Sequence, residues 1–370
     1  MNEFENLLME FIVYTNTEWD GPPRARHQLS HALAKRFKVT FVAANTIGLP
    51  GLKCEKVNGN FELLTPSFPS SFRLRYRMPG LNEAYQLWLY EKLKKHFEGK
   101  EVVFICTDFG GYLVGKYFDK FIYMANDDFI NNVKVPGWMK AYTTFTQSRL
   151  VKTATFNLAT AQKLVNDFAE INPKSYELPL GAPEFSKVDI TQLSLNREDE
   201  KVKVVLLGFI DKKKTPLVLI NKILEIENVE LHLIGPIKDD FLNHLSKEEK
   251  VKAHGVLTGD PLSSKLSEMD VAIAPYYMDD PNTGRTPNKL WQYLATGIPA
   301  VITNLPNVRH WEFPEKTVYK ANNDDEFVSF IKQAYKDNTI ELMKERISIA
   351  ANNSWSKRVD QLLAYIKELY

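Results

Sequence analysis

Two hydrophobic periods take turns along this chain. Short β-branched and aromatic runs such as "EFIVYTN" and "KVTFVAAN" predict buried strands. Between them lie stretches such as "RARHQLSHALAKRF", where apolar residues recur every three or four positions and predict amphipathic helices. The first half continues with a helix at "NEAYQLWLYEKLKKHF", strands at "EVVFICTD" and "KFIYMAND", a helix at "LATAQKLVNDFA" and a closing strand at "SYELPLG". "TFTQSRLV" and "TATFN" fit the series without a decided type. Residues 184–200, "EFSKVDITQLSLNREDE", lose the periodicity and gain charge, which marks a linker. The alternation then restarts with "KVKVVLLGFI", "TPLVLINKILEIE", "VELHLIG", "VKAHGV", "VAIAPYY" and "PAVIT". The predicted organisation is a domain over 1–183, the linker, and a second domain over 201–354. A terminal helix over 355–370 is long enough to pack back on the first domain. Strands alternating with helices imply α/β architecture, two Rossmann-like domains whose parallel sheets face each other across a cleft. No GxGxxG follows the first strand, which argues against a dinucleotide dehydrogenase.

Composition narrows the class. The 370 residues are long for one core and suit two domains. A net charge of +1 provides no chain-wide field for nucleic acid, so any basic feature is local. No apolar run is long enough to span a membrane, and the start lacks the basic region and cleavage site of a signal peptide. Cys54 and Cys106 show neither metal spacing nor a disulfide framework. The expected compartment is the cytoplasm.

The chemistry concentrates in "NTGRTPNKLWQYLATGIPAV", residues 282–301. Leu290, Trp291, Tyr293 and Leu294 make a broad apolar face. Thr286 can cap a helix that begins near Pro287, and Gly297 and Pro299 end it. Arg285, Asn288 and Lys289 gather at its positive end, which favours an anion there. Gln292 shares a face with Lys289 and can reach a sugar hydroxyl beside a phosphate. Tyr276 and His254 are further candidates for the pocket wall. The alternative is a solvated basic end on an ordinary crossover helix. In the first half, Asp108, Asp127 and Asp128 stand at strand ends as candidate acids or bases, against the reading that they cap turns. Arg24, Arg26 and His27 enter a helix from the loop "EWDGPPRARHQ" and can hold an anion or acceptor; His27 can equally be a packed residue.

"TPNKLWQYLATGIPAVIT" resembles the nucleotide-sugar segment of GT-B glycosyltransferases of the family-4 type. "VKAHGVLTGDPLSSKLSEMDVAIAPYY" follows the same family's order of elements, and "WDGPPRARHQLSHALAKRFKVTFVA" is similar to the N-terminal region of teichuronic-acid-type transferases. The resemblance implies a GT-B fold and transfer of a sugar from a nucleoside diphosphate, UDP by preference, to a glycan or lipid-linked glycan in cell-surface polysaccharide synthesis. It implies no cofactor and no metal: Arg285, Asn288 and Lys289 surround the diphosphate, and Gln292 takes the ribose. Asp127 or Asp128 is then the base, with Asp127 preferred, while Asp108, Arg24, Arg26 and His27 line the acceptor side. Two positions depart from the pattern. Gln292 replaces the family's second Glu, as in xanthan-type glucuronosyltransferases, and Gly284 stands where the first is expected. Phe209 replaces the Arg of the first phosphate-side loop, leaving Lys212, Lys213 or Lys214 as the phosphate partner, with Lys213 taken as the candidate.

The segment 71–97 interleaves Arg73, Arg75, Arg77 and several lysines with Phe72, Tyr76 and Trp88. It can lie on an anionic membrane, giving peripheral attachment at the inner face, or it can be a solvated helix with a core stripe. Two other functions fit the same residues: a nucleotide-sugar epimerase, which needs no acceptor, and a non-catalytic nucleotide-sugar-binding protein.

Overall fold

The computed structural model describes residues 9–21, 23–128, 130, 136–185, 201–238, 240–278 and 287–369. The chain forms two compact units, Met1–Leu180 with Trp355–Tyr370, and Gly181–Ser354.

In the first unit the strands are β1 (Glu10–Tyr14), β2 (Lys38–Val42), β3 (Thr46–Ile47), β4 (Gly51–Asn58), β5 (Phe61–Phe68), β6 (Val102–Cys106), β7 (Lys120–Ala125), β8 (Phe156–Ala159) and β9 (Ser175–Glu177). Their order is β3-β5-β2-β1-β6-β7-β8-β9, and all of these neighbours run parallel. Phe11, Ile12 and Val13 are all fully buried, so both faces of β1 are covered, which is why the run reads as continuously apolar. Strand order reverses between β1 and β6, and open α/β sheets bind ligands at such a crevice.

The hydrophobic pattern passed over β3, β4 and β5, and for β4 the reason is plain. β4 pairs antiparallel with β5 and forms a ribbon at the sheet's edge. Its residues are almost all exposed, so no apolar alternation marks it. The Asn58-Gly59 pair was the available signal, since Asn-Gly favours a tight hairpin turn. "TFTQSRLV" falls inside the helix Gly137–Thr153, and "TATFN" yields β8.

The terminal helix Trp355–Leu369 belongs to the first unit. Val359, Leu362 and Ile366 are buried, the Trp355 indole donates to Gln28, and Tyr365 stacks on Tyr176 at 4.9 Å.

The second unit has β10 (Val202–Leu207), β11 (Val229–Ile234), β12 (Val251–Ala253), β13 (Val271–Ala274), β14 (Ala300–Thr303) and β15 (Val318–Ala321). All are parallel, in the order β12-β11-β10-β13-β14-β15, with the reversal between β10 and β13. Val204, Leu206, Leu231, Leu233 and Ile273 meet the helices Leu217–Leu224 and Asp324–Asp337 on one face. The helix Lys289–Ala295 contacts β13 and β14 and packs on the helix Ile340–Asn352; none of its apolar residues joins that first cluster, which places it on the opposite face.

The basic segment 71–97 requires a correction. Arg75 is 1% exposed, its guanidinium lies 3.6 Å above the Tyr85 ring, and it donates to Asn45 and Asn82. It is therefore part of the core and unavailable to a membrane surface. Arg73 and Arg77 remain exposed, beside exposed Leu74 and Met78. Among the described residues no helix is long and apolar enough to cross a membrane.

Trp19 packs between His27 and His31, with ring centroids 5.6 and 5.5 Å away. Burial lowers the pKa of both imidazoles. The unfolded chain therefore binds these protons first as pH falls, so their contribution is fully present above about 6.5 and is lost progressively below it. Thermal melts should show Tm falling on acidification through that window, and His31→Phe should remove part of the fall.

Candidate functional site

At the reversal in the second unit, three neighbouring strands finish in glycines with positive φ: Gly208 (121°) after β10, Gly235 (128°) after β11, and Gly255 (68°) after β12. At Gly235 the requirement is also steric, because a Cβ there would stand 2.2 Å from the Gly208 carbonyl oxygen. The result is a bare backbone floor at the carboxyl edge of the sheet.

Lys289 stands over that floor. Its Nζ is 3.6 Å from where a Gly208 Cβ would be and 5.4 Å from the centre of the Tyr276 ring. Tyr276 follows β13, and its backbone N–H donates to Thr303 Oγ1 at 3.0 Å. The helix is pinned by Tyr293, whose buried hydroxyl donates to the Ile273 carbonyl at 3.0 Å and accepts the Leu207 N–H at 2.9 Å, tying it to both strands of the reversal. Gln292 lies one turn from Lys289, and its Oε1 is buried without a hydrogen-bond donor. A buried acceptor left unmatched costs stability, so this atom suits a ligand hydroxyl.

The helix begins at Lys289, later than the expected start near Pro287. Asn288 precedes it in helical conformation, exposed and making no side-chain cap. Arg285 and Thr286 lie outside the described residues. With seven residues the helix has a weaker macrodipole than a long one, so the positive charge at this end comes chiefly from the Lys289 ammonium. Of the three lysines after Phe209, Lys212 pairs with Asp240 at 2.5 Å and Lys214 lies over the Phe209 ring at 5.2 Å. Lys213 is exposed, and its backbone N–H is held by Asp211 at 3.0 Å. His254 is half-buried just past β12, and its Nε2 lies 2.9 Å from His232 Nδ1, which leaves Nδ1 as its other ring nitrogen.

At the reversal in the first unit, Arg26 is 5% exposed and donates to Thr15 Oγ1 at 3.0 Å and Asn16 Oδ1 at 3.4 Å. Burial lowers its pKa to about 10, with Arg24 adding to the fall and Asp108 opposing it. Asp108 is 1% exposed; its Oδ1 accepts the Tyr76 hydroxyl and the Gly110 N–H, and its Oδ2 has no partner. Arg26 Nε and Thr17 Oγ1 are likewise buried and unmatched. A donor, a hydroxyl and an acceptor without partners thus collect at the ends of β1 and β6. Asn16 and Thr17 were not singled out from the sequence, and Tyr76 was named only as an aromatic of the basic segment 71–97. Position after the first strand was the signal for Asn16 and Thr17, whereas Tyr76 arrives from a separate helix-and-turn segment.

The other first-unit candidates have local roles. His27 Nδ1 accepts the Arg24 N–H at 3.0 Å, its Nε2 lies 3.2 Å from the Glu18 carbonyl, and its ring stacks on Phe41, so it is a packed residue. Arg24 is exposed at the helix start. Asp127 Oδ1 accepts the Asp128 N–H at 2.9 Å, a turn-capping contact, and the buried Asp128 carboxylate is 3.9 Å from Lys163. Beyond the β2 and β5 ends lies a cavity of about 1000 Å³, lined among others by Glu18, Trp19, Asp20, Asn45 and Lys53. Among the described residues no group of three His, Cys, Asp or Glu side chains is placed to hold a metal.

Residues 201–337 match the family model of the group 1 glycosyl transferases. TuaH of Bacillus subtilis strain 168, named as a teichuronic acid biosynthesis glycosyltransferase, is 27% identical over 139 residues, which cover 36% of this chain and 34% of TuaH. The match thus spans about a third of that relative's length. Among solved structures, sucrose-phosphate synthase of Thermosynechococcus elongatus superposes with a TM-score of 0.69 at 12% identity, over 98% of this chain and 99% of that one. Anabaena HepE in complex with UDP and glucose gives 0.64 at 12% identity, over 97% and 100%.

Proposed function

We propose that this chain, whose residues 201–337 are a group 1 glycosyl transferase domain and whose fold is GT-B, transfers a sugar from a nucleoside-diphosphate donor, UDP by preference, to a glycan or lipid-linked glycan. The observation that carries the reading is the Lys289 ammonium above the glycine floor at the β10–β13 reversal, with the unmatched Gln292 oxygen one turn away. In this reading Lys289 neutralises charge developing on the leaving diphosphate, which is how fixed positive groups accelerate such a step without a metal. Gln292 Oε1 accepts a ribose hydroxyl. Asn288, Tyr276 and Lys213 complete the donor side, joined by Arg285 and Thr286 from the segment outside the described residues.

The acceptor belongs to the first unit, where Asp108 Oδ2 and Arg26 Nε provide a buried acceptor and donor for sugar hydroxyls. Asp127 or Asp128 is the candidate base if the reaction inverts configuration. Similarity to TuaH supports a role in cell-surface polysaccharide synthesis. Exposed Leu74 and Met78, next to exposed Arg73 and Arg77, support peripheral attachment to an anionic membrane.

Asp108→Asn keeps the side chain's shape and replaces one carboxylate oxygen by an amide NH2. It should lower turnover by about 10- to 100-fold while donor affinity stays within about twofold, since a charged hydrogen bond is worth about 1.5–3 kcal/mol. Steady-state kinetics with varied acceptor, alongside Asp127→Asn and Asp128→Asn, would assign the base; unchanged turnover in all three removes the acceptor assignment. The transferase reading itself fails if the protein interconverts nucleotide sugars with no acceptor present.

A further inference from the structure

We propose that His254 selects the base of the bound nucleotide, its Nδ1 accepting a ring imide N–H such as that of uracil. Glu230 and His232 hold it in the tautomer able to do so. This rests on the nucleotide reading above and adds the residue that discriminates among bases.

The tautomer follows from a chain of hydrogen bonds. Glu230, 7% exposed, accepts from Lys252 Nζ at 3.0 Å and faces Lys201 at 3.7 Å. Burial alone would raise its pKa, but hydrogen bonds from Lys252 and His232 and the Lys252 charge keep it below the usual value, so it is a carboxylate near neutral pH. A carboxylate only accepts, so the proton between it and His232 Nε2, 2.9 Å away, sits on the imidazole. His232 is buried and its pKa is lowered, chiefly by that burial. It is therefore neutral, and its Nδ1 is a lone pair. That lone pair lies 2.9 Å from His254 Nε2, which must carry the hydrogen. The two ring planes are within 12° of parallel with centroids 5.0 Å apart, an arrangement compatible with that hydrogen bond. His254 is neutral too, held so by burial and Lys265 and Lys252 against the opposing charges of Glu268 and Glu230. Its second nitrogen, Nδ1, is therefore an acceptor, with its polarity set by a carboxylate two hydrogen bonds away.

The placement suits a base. His254 continues from β12, with its backbone N–H donating to the Leu233 carbonyl at 2.9 Å, and Gly235 N–H donates to the Gly255 carbonyl at 2.6 Å. The glycine ends of β10, β11 and β12 thus run as one floor from Lys289 to His254. Two strand spacings separate the ends, roughly 10 Å, comparable with the reach from a nucleotide's diphosphate to its base. The faces agree as well. His232 alternates with Leu231 and Leu233 of the Leu217–Leu224 side, so His232 and its partner His254 stand on the face that carries Lys289. Uracil N3–H and guanine N1–H are donors to such a nitrogen, whereas cytosine N3 and adenine N1 present lone pairs against it.

The test measures binding of UDP, GDP, CDP and ADP by calorimetry to the full chain and to His254→Ala, His254→Gln and Lys289→Ala. The wild type should prefer UDP or GDP over CDP and ADP by at least about tenfold. Methylating the imide nitrogen of the preferred nucleotide should abolish its advantage. His254→Ala should bring the four within about twofold, and His254→Gln, which retains an acceptor, should keep part of the preference even if alanine loosens β12. Lys289→Ala should weaken all four alike. A preference that survives His254→Ala, or a His254→Ala loss equal for the methylated and unmethylated nucleotides, overturns the proposal. If the wild type binds no nucleoside diphosphate, the nucleotide reading falls and this proposal with it.

Discussion

Lys289→Ala should weaken binding of a nucleoside diphosphate by about 10- to 100-fold and leave the bare nucleoside within about twofold. The magnitude is that of one charge-assisted hydrogen bond, about 1.5–3 kcal/mol. The selectivity comes from position. Lys289 Nζ lies beside Gly208 and over Tyr276, at the reversal of strand order, while the neighbouring polar atom that suits a ribose belongs to Gln292. Tyr293, which anchors the helix to Leu207 and Ile273, is untouched by the substitution, so the fold should persist. Isothermal titration with UDP and uridine on both proteins measures the effect. Lys289→Arg should recover part of the loss, since charge is retained while the point-charge geometry is not. Binding by the wild type should also weaken with salt, and the variant's salt dependence should be shallower. Equal losses for UDP and uridine would move Lys289 away from the phosphates.

The sequence carried the elements that face a core and said little about those that do not. β10, β11, β13 and β14 are apolar runs buried almost throughout, so their pattern found them; β4 lies exposed on an edge, where nothing forces a pattern, and the short β15, with Lys320 inside it, was not foreseen. Lys289 was legible because charge beside an apolar helix face is unusual. Arg75 misled for the complementary reason: an arginine among basic and aromatic neighbours looks solvated, and only tertiary structure brings Asn45, Asn82 and the Tyr85 ring around it. Similarly, Tyr76 reaches Asp108 across 32 positions, and His232 reaches His254 across 22. Such pairings depend on strand order, which no local spacing encodes. The acidic candidates show the same limit. All three aspartates end strands, yet Asp127 spends an oxygen on the next backbone N–H, whereas Asp108 leaves one buried and unmatched.

Arg346→Ala should destabilise the second unit by about 3–5 kcal/mol, the range for stripping a buried, multiply hydrogen-bonded charge from its site. Arg346 is fully buried, and its guanidinium donates to four oxygens: the Thr317 carbonyl at 3.2 Å, the Gly297 carbonyl at 3.0 Å, Asn338 Oδ1 at 2.6 Å and the Lys316 carbonyl at 2.9 Å. No carboxylate is among these partners, so carbonyl and amide dipoles hold the charge directly, while burial lowers its pKa to about 10 against the opposing influence of Tyr319 and Glu345. One of the partners is a strained position: Lys316 has φ 65°, a conformation that costs a non-glycine residue about 1–3 kcal/mol, whereas Gly297 ends the Lys289 helix at φ 80°, which glycine adopts freely. Removing the guanidinium leaves buried carbonyls without donors at both places and opens a void beneath the helix that carries Lys289 and Gln292. Denaturant unfolding monitored by Trp291 and Trp311 fluorescence should show a lower midpoint for the second unit. Arg346→Lys should recover little, because one ammonium cannot replace the planar fork. Donor affinity measured well below the midpoint should fall as well, by less than in Lys289→Ala, since Arg346 acts on the proposed phosphate site only through the end of the helix that carries Lys289. A midpoint unchanged from wild type would show that the four dipoles do not depend on this charge.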